Sequence, residues 1–133
     1  MTQRLNTAAL LAAAAVSMVA CSPQADRQQQ VRAPAVVVLG EPVSCIQTSR
    51  IRNTTVHDDY TIDFEMSGNA VYRNTLPARC PGLGFEERFA HQTTTGQLCR
   101  VDTITVLQQG GAGRGPTCGL GSFVPVRYAD AGA

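Results

Sequence analysis

His57-Asp58-Asp59 sets an imidazole and two carboxylates side by side, and Asp63 and Asp102 are further carboxylates that a fold could bring to them. Such residues can hold a divalent cation or run general acid/base catalysis, because histidine titrates near neutrality and a carboxylate can orient it. That set would make the chain a hydrolase or a metal-binding protein. The spacing argues otherwise: adjacent residues on a turn point apart, and Asp58 or Asp59 bonding nearby backbone N–H groups explains the tripeptide as a solvated turn. Thr93-Thr94-Thr95-Gly96 is rich in hydroxyls but matches no nucleophile motif such as G-x-S-x-G, and reads as a hairpin tip. Gly110-Gly111-Ala112-Gly113-Arg114-Gly115 resembles a phosphate cradle only in its glycines, since the Lys-Ser/Thr ending is missing. No catalytic residue, metal ligand or cofactor is assigned from these segments. Lysine chemistry is excluded, because all 11 basic residues are arginine.

A second grouping is suited to recognition. Arg50, Arg52, Tyr72, Arg73 and Asn74 would share one surface if their strands paired, and planar guanidinium and aromatic groups give oriented contacts to a protein or glycan partner. The competing explanation is cross-strand pairing of an arginine with Asp63 or Glu65, which sheets commonly use.

The cysteines carry redox chemistry or staples. Apart from Cys21 there are four, Cys45, Cys80, Cys99 and Cys118. No C-x-x-C exists among them, which argues against a zinc site and against a thioredoxin-like centre. Two disulfides are the expectation, in one of three pairings. Cys80 with Cys99 and Cys45 with Cys118 is favoured here, the second bridge joining the two ends of a closed sheet. Cys80-Pro-Gly-Leu-Gly-Phe85 and Cys118-Gly-Leu-Gly-Ser-Phe123 are alike, and without further self-similarity they read as two Gly-rich turns beside cysteines.

The oxidising compartment that disulfides need is announced at the N-terminus. Arg4, the apolar run Ala8 to Ala20 and the sequence Met18-Val19-Ala20-Cys21 have the make-up of an export signal. The run is shorter than the roughly 20 apolar residues of a membrane span. It resembles a bacterial lipoprotein signal, which implies cleavage after Ala20 and acyl (palmitate-type) chains on Cys21; an ordinary secretory signal, with Cys21 a plain thiol, is the alternative. Ser22, rather than Asp, implies the outer membrane, facing either the periplasm or the cell surface. Cleavage there takes the 133 residues to 113 and, with Arg4 lost, leaves 10 basic against 10 acidic groups. A neutral chain has no general attraction for nucleic acid.

The elements that must position these residues are strands. Ser22 to about Pro42 begins polar and Gln-rich and reads as a flexible tether, although Val36 to Leu39 would also serve as a first strand. Residues 43–128 form one β-rich domain and 129–133 a tail. About 85 residues give a core of marginal stability, so covalent staples fit the size. In Tyr60 to Met66, Ile62, Phe64 and Met66 alternate with Asp63 and Glu65, putting apolar groups on one face and carboxylates on the other. Ile51 to Val56 precedes it across the His57-Asp58-Asp59 turn, and Ala70 to Asn74 follows across Ser67-Gly68-Asn69 as a hairpin partner. Phe89 to Thr93 and Gln97 to Leu107 suggest another hairpin, and Phe123 to Val126 a last strand that Pro125 marks as an edge or an end. A turn at Gly84 to Ala90 is the one helical hint. The expectation is a small all-β antiparallel barrel or sandwich of five to seven strands.

The order and spacing of Cys45, Arg50 to Thr54, Asp58 to Ile62, Val71 to Pro77, Cys80 to Leu83, Gln97 to Cys99 and Asp102 to Ile104 resemble a family of small proteobacterial envelope proteins known only as a domain of unknown function. The resemblance runs from about Ser44 to Val126. It implies an exported β-rich domain and brings no catalytic residues. The function expected is a lipid-anchored, non-enzymatic interaction or structural module, held to the membrane by its lipid and free to meet a protein or glycan in the envelope. An inhibitor of a secreted enzyme such as lysozyme, using Gln108 to Pro116 or Pro81 to Gly84, is the alternative, and the His57 enzyme a second one.

Overall fold

The computed structural model describes residues 32–110 and 113–130. The export signal, Cys21, the first part of the tether and residues 131–133 lie outside the described residues.

Ten short antiparallel strands build three sheets. They are β1 (Val36–Val38), β2 (Cys45–Gln47), β3 (Ile51–Val56), β4 (Thr61–Met66), β5 (Val71–Thr75), β6 (Phe89–His91), β7 (Gln97–Cys99), β8 (Thr103–Leu107), β9 (Arg114–Gly119) and β10 (Phe123–Tyr128). The five-stranded sheet runs β1-β10-β5-β4-β3, a second runs β6-β8-β9, and β2 pairs with β7. The all-β expectation holds, but the strand number is ten. The additions are β2, three residues long, and β9, whose first residues Arg114 to Pro116 lie in the stretch that the sequence presents as a loop, while the expected run Gln97 to Leu107 is broken into β7 and β8. One short helix, α1 (Leu83–Glu86), sits where the sequence suggested a helical turn.

The alternation in β4 sends Ile62, Phe64 and Met66 into a core shared by all three sheets, with Ile46 from β2, Leu98 from β7, Ile104 and Val106 from β8 and Phe123 from β10. Phe64 meets Phe123 and Phe89 edge-on at centroid distances of 5.4 and 6.3 Å. The β4–β5 hairpin forms as expected, with Gly68 and Asn69 both at positive φ in its turn.

Other pairings differ from the sequence reading. Phe89–His91 pairs with β8, not with β7, and β7 lies against β2. Val36–Val38 is a strand, docked outside β10, so the domain extends back through part of the expected tether. β10 is therefore interior and not an edge. Pro125 fits there because a residue of an antiparallel strand turns its N–H and C=O to the same side. Its carbonyl accepts Leu39 N–H at 2.8 Å, so its missing N–H takes nothing from β5.

The disulfides are Cys45–Cys99 and Cys80–Cys118, not the pairing expected. Cys45 and Cys99 are direct cross-strand partners in β2 and β7, a contact invisible until those two strands are known to pair. Cys80–Cys118 joins the two alike Cys-Gly-Leu segments, and the leucine of each, Leu83 and Leu120, is buried in the core.

Candidate functional site

The second face of β4 is where charge collects. Thr61 and Asp63 point away from the apolar core, yet Asp63 is 0 % exposed. Register decides what it meets: Asp63 lies opposite Thr55 of β3 and Arg73 of β5. Arg73 Nε donates to Oδ1 at 2.8 Å and Nη2 to Oδ2 at 2.9 Å, a two-toothed pair. His57 Nε2 stands 2.7 Å from Oδ2, and Tyr128 at the end of β10 donates its hydroxyl to the same oxygen at 3.0 Å.

Burial alone would raise the Asp63 carboxyl. The hydrogen bonds from Arg73 and His57, the Arg73 charge and the Tyr128 hydroxyl outweigh it and hold the group below the usual carboxylate range. An ionised carboxylate only accepts, so the proton on the His57–Asp63 contact sits on Nε2. The same bond to Asp63 raises Arg73 further, and burial followed by the Asp63 bond pushes Tyr128 up to about 12.

A strap of chain covers this cluster. Between Arg32 and Ala35 the backbone crosses the sheet: Arg32 N–H donates to Asp58 Oδ2 at 2.9 Å, Pro34 C=O accepts from Arg73 Nη1 at 2.8 Å, and Ala35 C=O accepts from Ala129 N–H at 3.0 Å. Asp63 thus fixes Arg73, and Arg73 fixes the strap.

Between the strap and the segment Thr75 to Arg79 an open groove of about 740 Å³ remains. Pro34, Ala35, Pro77 and Ala78 form its walls, with Tyr60 and Arg73 among its lining. That volume suits a small ligand or a short peptide segment. Arg79 stands at one end, half-exposed, with Nε bound to Asp59 at 2.9 Å and its two terminal nitrogens unengaged among the described residues.

Of the tripeptide read from the sequence, His57 does converge with Asp63, while Asp58 and Asp59 turn to other work. Asp58 Oδ1 accepts Tyr60 N–H at 2.8 Å, the local turn expected, and Asp59 Oδ1 accepts Gly84 N–H at 2.8 Å. Asp102 accepts Cys99 N–H at 2.7 Å, away from the cluster. Among the described residues no three His, Cys, Asp or Glu side chains gather around a metal-sized point.

The expected partner surface is not one surface, and that reading is corrected. Strand alternation splits it: Tyr72 packs on the core and Asn74 is fully buried, while Arg73 faces the opposite side under the strap. Arg50 reaches Ser67 at 3.4 Å, and exposed Arg52 sits on β3, separated from β5 by β4. The competing explanation, Arg73 against Asp63, is the one realised. Counting register outward from the Ser67-Gly68-Asn69 turn would have found that pair; nothing in the sequence ties Tyr128 to it.

Both loops proposed for entering an enzyme cleft are tied down at some point. Leu83 is buried and Gly84 packs against Asp58, while Gln109 N–H donates to Glu86 Oε2 at 3.1 Å.

A family described as a family of unknown function (DUF6491) matches residues 3–128. The chain belongs to that family. No curated protein and no solved structure matches this DUF6491 member significantly. The matched range takes in the apolar segment and Cys21 as well as all ten strands.

Proposed function

We propose that this DUF6491 protein is a lipid-anchored protein of the bacterial outer membrane, and that its domain is a non-enzymatic interaction module whose contact site is the groove beside the strap. The observation that carries this reading is the distribution of hydrogen-bonding capacity. Asp63 receives four hydrogen bonds from His57, Arg73 and Tyr128, which fills the roughly four acceptor positions of a carboxylate. A general acid or base needs a free position facing substrate. Asp58 accepts Tyr60 and Arg32 N–H and Asp59 accepts Gly84 N–H and Arg79 Nε, one donor on each oxygen, whereas Arg79 keeps its terminal donors open at the groove. The site therefore displays donors and apolar walls, the make-up of a surface that recognises an acceptor-bearing protein or glycan.

Support for the address comes from the export signal ending at Cys21 and from two disulfides, which persist in oxidising compartments. Intact mass spectrometry of protein taken from membranes tests the anchor. A mass beginning at Cys21 with added acyl groups and no free thiols is expected, and an unlipidated chain overturns it. A photo-crosslinking residue at Ala78, compared with one at Thr54 on the β3 edge, tests the groove in intact envelopes. A discrete adduct confined to Ala78 is expected; equal labelling at both, or none at Ala78, refutes the groove. The inhibitor reading is weaker because its two loops are anchored, and unchanged lysozyme activity on adding the protein would dispose of it.

A further inference from the structure

Phe85 is 88 % exposed, the most exposed large apolar residue in the described domain. It is there by construction. α1 sends Leu83 into the core and is held close by Gly84, where a Cβ would come within 2.9 Å of Asp58 Cα, so Phe85 is turned outward from a rigid base. An exposed apolar ring is ordinary by itself; what singles out Phe85 is that it is held on a fixed turn at the end of the domain nearest Cys21 along the chain.

Its position on the molecule says what it contacts. Phe85 borders one hollow together with Arg32 and Arg79. Arg32 is the point at which the chain leaves the described domain toward Cys21, 11 residues earlier. Eleven residues reach at most about 40 Å. A lipid on Cys21 therefore keeps the Arg32 end within about 40 Å of the bilayer, at high effective concentration, so even one aromatic contact is populated. Arg32 beside the ring suits the headgroup level, where a guanidinium group meets phosphate and an aromatic ring enters the interface.

We infer that Phe85 is a membrane-contact residue: the tip formed by α1 meets the lipid surface, leaving the groove beside the strap to its partner. This rests on the lipid-anchor reading above.

The chain contains no tryptophan, so Phe85→Trp introduces a single reporter. The full lipidated protein carrying F85W would be placed in phosphatidylethanolamine/phosphatidylglycerol vesicles and compared with V101W, since Val101 is 82 % exposed on the turn between β7 and β8. Indole emission from the F85W protein is expected to move to shorter wavelength and to be quenched by brominated lipid, and emission from the V101W protein to do neither. Protein that floats with the vesicles while the F85W reporter behaves like the V101W one overturns the contact and leaves the anchor standing. Protein that does not float and carries no acyl mass overturns the anchor and the contact together. An F85W indole shielded in native envelopes but not in protein-free vesicles also overturns the lipid contact, in favour of a protein partner.

Discussion

Replacing Asp63 would leave Arg73, His57 and Tyr128 facing an empty acceptor beneath the strap. Breaking a buried pair from one side is costly because the remaining charge is uncompensated. Asp63→Ala should destabilise the domain by about 3–5 kcal/mol in urea unfolding, and Asp63→Ala with Arg73→Leu by less than the sum of the two single changes. The pH dependence follows from the directions of the shifts. Asp63 is held below its unfolded value of about 3.9, so its contribution is present above that pH and is lost as pH falls through the folded value. Tyr128 is raised from 10 to about 12, so its contribution is complete below pH 10 and disappears as pH rises toward 12. Unfolding measured against pH should therefore lose its acid limb in Asp63→Asn and flatten above pH 10 in Tyr128→Phe.

Among the elements, two glycines hold close contacts that any side chain would break. Asn74, fully buried on β5, exchanges two hydrogen bonds with Gly121, donating from Nδ2 at 2.7 Å and accepting at Oδ1 at 2.8 Å, so its amide pairs with the backbone like one more strand residue. A Cβ on Gly121 would overlap the Thr75 carbonyl oxygen, and one on Gly84 would press on the Asp58 backbone. Gly121→Ala should cost about 3 kcal/mol or more and Gly84→Ala about 1–3 kcal/mol, read from thermal unfolding. These contacts also mark the limit of what could be read from the chain. β3, β4 and β5 were legible because Ile62, Phe64 and Met66 alternate and because Ser67-Gly68-Asn69 can supply positive φ. β2 was not, since three residues carry no period, and the partners of β1 and β7 were not, since they lie far off in the chain. The site divides in the same way: Asp63 with Arg73 follows from a local turn, whereas Tyr128 and the strap reach the cluster by long-range docking alone.

For the whole molecule, the disulfides interleave, Cys45 to Cys99 across Cys80 to Cys118, with sequence separations of 54 and 38. Each should contribute about 4 kcal/mol by restricting the unfolded chain. Replacing either pair by alanine is expected to lower the urea midpoint by comparable amounts, and removing both should leave an unfolded chain at about 37 °C, as circular dichroism would show.

The interleaved bridges also set how the molecule bears load. A chain hauled from its N-terminal side meets the strap and then β1, three residues paired with β10 alone, and these come away one at a time like a zip. Residues 45–118 are inside the covalent circuit, so for a pull that ends at Arg100 the slack on the domain is limited to residues 32–44, about 45 Å of extra reach. In a force trace taken between the N-terminus and Arg100, the oxidised protein should give one short low-force step and then stiffen, and the reduced protein should run out to full contour. The front of the domain would then work as a shock absorber of fixed travel, with the rest of the fold behind its stop.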